Sequence, residues 1–133
     1  MSGSLGHDEK YYLERNIKLD QRGTLIIDPG SHWGSNITTF TWSHGVQDWD
    51  STGMQSITVD RPVIVERGAW ICSNVVLYNC IIREGAIVAI GSVVRSQEVK
   101  PFVMVAGNPA RVIARFIEGA WEYDRSFKWE VLE

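Results

Sequence analysis

Cysteine is scarce. Cys72 and Cys80 are the only two in 133 residues, too few to staple a fold, and neither has a partner at metal-ligand spacing. The expectation is reduced thiols in a cytoplasmic protein. Long apolar runs are also missing: the longest extend over a few residues, such as 104–106, so no segment suits a membrane span. Positive charge is not in excess, because thirteen Lys and Arg stand against sixteen Asp and Glu, a net charge of −3. That argues against a nucleic-acid or anionic-membrane binder, while leaving room for a local basic patch that holds a small anion. Residues 1–10 are polar without a hydrophobic signal core, and 1–7 read as a flexible leader or cloning remnant. Apolar character is plentiful by contrast. A hydrophobic content of 44% with 11% aromatics excludes an intrinsically disordered chain, and the length suits one domain over 1–133 rather than two.

A beat of six residues organises the middle of the chain. Units open at Ile27, Trp33 and Thr39, resume at Val65, Ile71 and Leu77, and continue at Ile82, Val88 and Val94. The unit opening at Leu77 is one residue short, and residues 45–61, rich in Asp, Ser, Gly and Gln, interrupt the beat. Gly or Asn often takes the fourth place of a unit, and a small or β-branched residue the fifth. No helical period fits 63–94, which is rich in β-branched residues and broken by Gly68, Gly85 and Gly91. A β-sandwich would alternate at period two between irregularly spaced turns. The pattern instead predicts a coil of very short strands. One aliphatic residue in six stacks on its equivalent a turn away, and Gly or Asn supplies the tight corner angles.

Beyond the repeats, Pro101 and Pro109 bracket the exit from the coil. The spacing of Val112, Ile113, Phe116, Ile117 and Ala120 behind Pro109 predicts a C-terminal helix over 110–121. The tail alternates at Phe127, Trp129 and Val131 as a last strand would. Residues 11–19 fit either a short helix or a strand that caps the coil.

The segments Gly68-Ala-Trp-Ile71, Ile82-Arg-Glu-Gly-Ala-Ile-Val-Ala-Ile-Gly-Ser-Val-Val94 and Val105-Ala-Gly-Asn-Pro-Ala-Arg-Val-Ile113 resemble the hexapeptide-repeat acyltransferases. The likeness is greatest to their sugar and polysaccharide O-acetyltransferase branch and covers about residues 27–115. Its most specific part begins at Ala106. The resemblance implies an all-β solenoid, a left-handed parallel β-helix of triangular section with coils over about 27–107 and an excursion loop at 45–61. It also implies acetyl-CoA as acyl donor and a homotrimer that binds it between subunits. A stack of roughly four turns has a modest core, so trimer packing would supply much of the stability.

Under this resemblance His44 is the general base. Acyl transfer from a thioester to a hydroxyl needs a group that takes the hydroxyl proton, and imidazole suits that task near neutral pH. His44 ends a repeat and opens the excursion, where a rigid coil meets a loop, and Thr41-Trp-Ser-His44 matches the family's place for this residue. The alternative is a surface histidine at a turn. The family pattern sets Trp70 and Ser73 beside the pantetheine arm and Ile90-Gly91-Ser92 against its amides. It places Arg95, Ser96 and Arg111 at the phosphates, with Lys100 and Arg115 nearby. One departure stands out: the family usually has Thr-Lys after its final Val-Val, whereas here Arg95-Ser96 moves the cation one position. Lys100 follows a one-residue insertion before Pro101. Four basic residues between 95 and 115 in an acidic chain favour a local anion site; taken singly, each equally fits solvated surface charge.

In the excursion, Trp49 flanked by Asp48 and Asp50 suits stacking on a sugar with hydrogen bonds to its hydroxyls, and equally suits anchoring the loop on a neighbouring subunit. Trp42 joins them as a candidate acceptor contact, although its place in the repeat reads first as wall. His32 lies two units before His44, on a different face. Some left-handed β-helices bind zinc through three histidines between subunits, a pattern that needs a close histidine pair; none of His7, His32 and His44 lies within ten residues of another, so no metal is expected. Cys72 and Cys80 lack an activating neighbour and read as packing, so transfer without an acyl-enzyme is expected. The implied activity is O-acetylation of a sugar or polysaccharide-precursor hydroxyl. A non-catalytic β-helix scaffold and an N-acetyltransferase on an amino-sugar are the alternatives.

Overall fold

A computed structural model of the chain describes residues 15–44 and 58–124. These residues are all β and turn, without a helix, and so contain none long and apolar enough to cross a membrane.

Alternate side chains of a strand point to opposite faces, so an aliphatic residue at a fixed place in each short strand always points the same way. The structure turns that rule into stacked rows. Ile27, Val65, Ile82 and Val99 are successive register partners in parallel strands. Trp33, Ile71, Val88 and Val105 make a second row, and Thr39, Leu77 and Val94 a third. From Val65 onward every one of these side chains is at most 1% exposed. Ile27 and Trp33, at the N-terminal end, are only half-buried. The fifth place of each unit, at Ala69, Val75 and Ala86, is also buried and fills the space between rows.

The strands that carry the rows fall into two six-stranded sheets. The first holds β1 (Ile17–Lys18), β4 (Ile37–Phe40), β9 (Val76–Ile82), β7 (Val63–Val65) and β2 (Leu25–Ile27), with β11 (Val93–Val99) on β9. The second runs from β3 (His32–Trp33) through β8 (Trp70–Ile71), β10 (Ile87–Val88) and β12 (Val103–Gly107) to β13 (Ala110–Ile117) and β14 (Ala120–Tyr123). The short unit at 77–81 has a structural meaning. With one residue fewer, β9 runs through its corner without a break, pairing β4 with its first half and β7 with its second. Unit 94–98 is shortened likewise, and β11 follows β9 around the same bend. Asn79 and Ser96 make that bend in the left-handed region, with φ of 49° and 50°. Asn36, Asn74 and Gly91 make another corner with φ between 58° and 75°. At the remaining corner Gly85 takes φ of 68° with the ring of Phe102 lying over it, so a side chain there would be strained and would displace that ring.

The expected helix over 110–121 is absent. Those residues are β13 and β14, two antiparallel strands added to the edge of the second sheet. The register of β12 against β13 shifts between Met104 and Val105, which turns both Ile113 and Ala114 inward beside Ala110. A β-bulge thus reproduces the i, i+3, i+4 spacing of a helix face. The missed signal was Glu118-Gly119, with φ of 49° and 84° and Ile117 paired to Ala120, the two positive angles of a tight hairpin turn. Of 11–19, Ile17–Lys18 is a strand; residues 11–14 and Phe127, Trp129 and Val131 lie outside the described residues.

Since each inward residue is covered by its counterparts above and below, deleting one opens a cavity within a row. Leu77→Ala is expected to lower unfolding free energy by about 2–5 kcal/mol in urea titrations. Ile26→Ala, at a side chain 55% exposed, should change it by no more than about 0.5 kcal/mol.

Candidate functional site

His44 is carried by a small ribbon that leaves the first sheet after Phe40. Strand β5 (Trp42–His44) pairs antiparallel with β6 (Thr58–Asp60), His44 opposite Thr58 and Trp42 opposite Asp60. The ribbon is rooted by buried Thr41, whose hydroxyl donates to the Asp20 carbonyl at 2.9 Å and accepts the Gly23 amide at 3.0 Å. It is also tied through Asp60, whose carboxylate accepts the Thr24 amide at 2.8 Å and hydroxyl at 2.6 Å. Those two bonds hold the Asp60 carboxyl below its ordinary range.

The His44 imidazole is half-buried, and its Nδ1 is shut from solvent with no hydrogen-bond partner among the described residues. Its ring meets Trp42 edge-on, centroids 4.9 Å apart at 66°. The Arg22 guanidinium lies 4.5 Å over the Trp42 ring. Asp20 grips that guanidinium at two points, Nε to Oδ1 at 2.8 Å and Nη2 to Oδ2 at 3.0 Å, and its Oδ2 also accepts the Thr41 amide at 3.0 Å. Asp20 and Arg22 escaped the sequence reading. An Asp two residues before an Arg is commonplace, and only the fold brings the pair to Trp42.

A second cluster forms around the expected phosphate contacts. Arg95, Ser96 and Arg111 line one cavity of about 380 Å³ with Tyr78, Gln97 and Pro109. The displaced cation has a backbone reason. Position 96 is the left-handed corner, where Ser96 accepts a bond from Asn79 Nδ2 at 3.3 Å, whereas Arg95 stands on the strand and points outward beside buried Val94. The hairpin carries Arg111 to the same place, its Nη1 donating to the Ala110 carbonyl at 2.9 Å. Lys100 and Arg115 do not line this cavity. Lys100 lies 3.5 Å from Glu98, within a network in which Arg83 bridges Glu98 and Glu66.

The residues expected along the pantetheine arm lie elsewhere. Trp70 is half-exposed on β8, and Ile90, 69% exposed, precedes the Gly91 corner. Gly91 donates its amide to the Ser73 carbonyl at 3.0 Å, and Ser73 Oγ accepts the Ser35 amide at 3.0 Å. None of these four lines the Arg95 cavity. His32 pairs in register with Trp70, and both border a separate hollow of about 620 Å³ at the N-terminal end of the stack. No cluster of three or more His, Cys, Asp or Glu able to hold a metal occurs among the described residues. Asp48 and Trp49 lie outside them. Burial pushes the Cys80 thiol up to about 12 and raises that of Cys72.

The Arg22 side chain, then the Thr41 amide, hold the Asp20 carboxyl well below its ordinary value of 3.8. As pH falls, the unfolded chain therefore takes up this proton first. The contribution of Asp20 is whole above its unfolded value and lost as pH drops toward the folded one. Between about pH 4 and pH 2 the wild type should lose stability more steeply than Asp20→Asn, as read by urea unfolding across that range.

Several solved structures share this architecture. A hexapeptide-repeat acetyltransferase of Vibrio cholerae O1 biovar eltor, complexed with acetyl coenzyme A, superposes with a TM-score of 0.57 at 24% identity, over 87% of this chain and 81% of that one. A galactoside acetyltransferase in complex with coenzyme A gives a TM-score of 0.62 at 24% identity, over 75% of this chain and 49% of that one. A maltose O-acetyltransferase from Clostridium difficile 630 gives 0.57 at 17% identity, over 89% and 79%. No family profile and no curated protein sequence matches the chain. At these identities the likeness carries the fold, and that fold is the one of hexapeptide-repeat acetyltransferases.

Proposed function

We propose that this chain is an acetyl-CoA-dependent O-acetyltransferase acting on a hydroxyl of a sugar or polysaccharide precursor, built as a left-handed β-helix solenoid. One observation carries the reading: the strand end that leads into the His44 ribbon shares one outward column with the basic cavity. Phe40, Tyr78 and Arg95 are successive register partners. Neighbouring strands are about 4.8 Å apart, so about 10 Å of backbone separates Phe40, where the ribbon begins, from Arg95. A base at one end, two aromatic side chains between and two guanidinium groups at the other suit an extended thioester with a phosphorylated tail.

In this reading His44 takes the acceptor proton as the hydroxyl oxygen attacks the thioester carbonyl. Backbone amides hold the oxyanion, and collapse expels the CoA thiolate, which recovers the proton from the imidazolium. The high thiol value of buried Cys80 supports direct transfer without a cysteine acyl-enzyme. The separation of the expected pantetheine contacts Trp70, Ser73, Ile90 and Gly91 from the Arg95 cavity supports a homotrimer. Two half-sites apart on one chain close on one ligand across a subunit boundary. The acetyl-CoA and CoA in two of the structural relatives support the donor, and the galactoside and maltose named in two of them support a sugar acceptor.

Acetyl release from acetyl-CoA, followed across sugars, amino-sugars and sugar nucleotides, tests this directly. His44→Ala should lower kcat by at least about 100-fold with little change in KM for acetyl-CoA. Arg95→Ala and Arg111→Ala should each raise that KM about tenfold, the loss of one charge-assisted contact to phosphate. Full turnover in His44→Ala would contradict the assignment of the base; absence of any CoA binding would favour the scaffold.

A further inference from the structure

We infer that Arg22 is a positioning residue for His44, setting the imidazole orientation through the Trp42 ring; the inference rests on the reading of His44 as the base. A two-stranded ribbon is marginal on its own, and the one bearing His44 has three register pairs among the described residues. In histidine bases, a hydrogen bond to one ring nitrogen ordinarily fixes the ring and its tautomer. Here Nδ1 has no such partner among the described residues. The imidazole instead packs against Trp42 in an edge-to-face arrangement, ring centroids 4.9 Å apart.

Trp42 is in turn held from outside. The guanidinium 4.5 Å over its ring cannot rotate freely, because both carboxylate oxygens of Asp20 grip it. Asp20 is anchored at Thr41, which is fully buried and immediately precedes Trp42. A closed circuit thus runs from Thr41 through Asp20 and Arg22 to Trp42, and His44 leans on its last member. The Arg22 side chain is 57% exposed, so solvent screens part of its charge. Its effect is geometric. A planar fork gripped at two points keeps a fixed plane over the indole, which a lysine ammonium cannot do.

The test uses the full-length protein and two readouts. The His44 ring-proton NMR resonance, assigned by its loss in His44→Gln, reports the ring's position against Trp42 without any need for activity. In Arg22→Ala this resonance should move, and kcat should fall about two- to fivefold while KM for acetyl-CoA holds. Arg22→Lys should restore little of either. Arg67→Ala, which removes an exposed Arg paired only to Glu84 among the described side chains, should leave both unchanged. A resonance that stays in place in Arg22→Ala overturns the inference whatever the rates do. A resonance that moves while kcat holds overturns the positioning role. Full turnover in His44→Ala overturns the underlying base assignment, and is told apart because the resonance test does not depend on turnover.

Discussion

Inward side chains in this protein stack on their counterparts in the turns above and below. Ile71 is covered by Trp33 on one side and Val88 on the other, and Val88 by Ile71 and Val105. Burial, the main favourable term in folding, is therefore available only if every rung keeps register with the next. That constraint also organises the outside. If inward residues align from rung to rung, outward residues must align as well. The column Phe40, Tyr78, Arg95 is a by-product of the stack beneath it, Thr39, Leu77, Val94. The candidate site is thus a surface feature whose spacing the core dictates.

The first rung departs from the aliphatic rule, and that departure supplies what the repeats cannot. Thr39 and Thr41 are almost wholly buried, yet satisfied. Thr39 Oγ1 accepts the Asp20 amide at 2.9 Å, and Thr41 Oγ1 accepts that of Gly23. Polar residues in the core here dock the segment around residues 20–24 onto the stack. Gly23 permits the approach, since a Cβ there would collide with the Thr41 carbonyl. The docked segment brings Arg22 over Trp42, and with it a restraint on the ribbon that an unbroken coil would not have.

Much of this was legible in the sequence because the repeat is a direct image of the core. The unit-opening residues Val65, Ile71, Leu77, Ile82, Val88 and Val94 are the buried rows, and Asn74, Gly68, Gly85 and Gly91 occupy left-handed corners. The clustering of Arg95, Ser96 and Arg111 could be read from a motif because the shared fold brings those positions together. Elsewhere local patterns had two solutions. The segment 110–121 matched a helix face since a bulge produces the same burial order, and Glu118-Gly119 was the cue to its hairpin. Sequence proximity groups Lys100 with the cavity's cations, but the network of Glu66, Arg83 and Glu98 engages it. Asp20 and Arg22 left no trace at all, because their importance arises from contacts some twenty residues away in sequence.

The central claim is that one outward column joins the His44 ribbon to the basic cavity and that both serve one thioester. A crystal structure of the protein with coenzyme A tests it most directly. The account predicts phosphate density within hydrogen-bonding distance of Arg95 and Arg111, with the thiol end directed toward His44. Ordered coenzyme A bound away from both arginines, or with its sulfur directed away from His44, would contradict it.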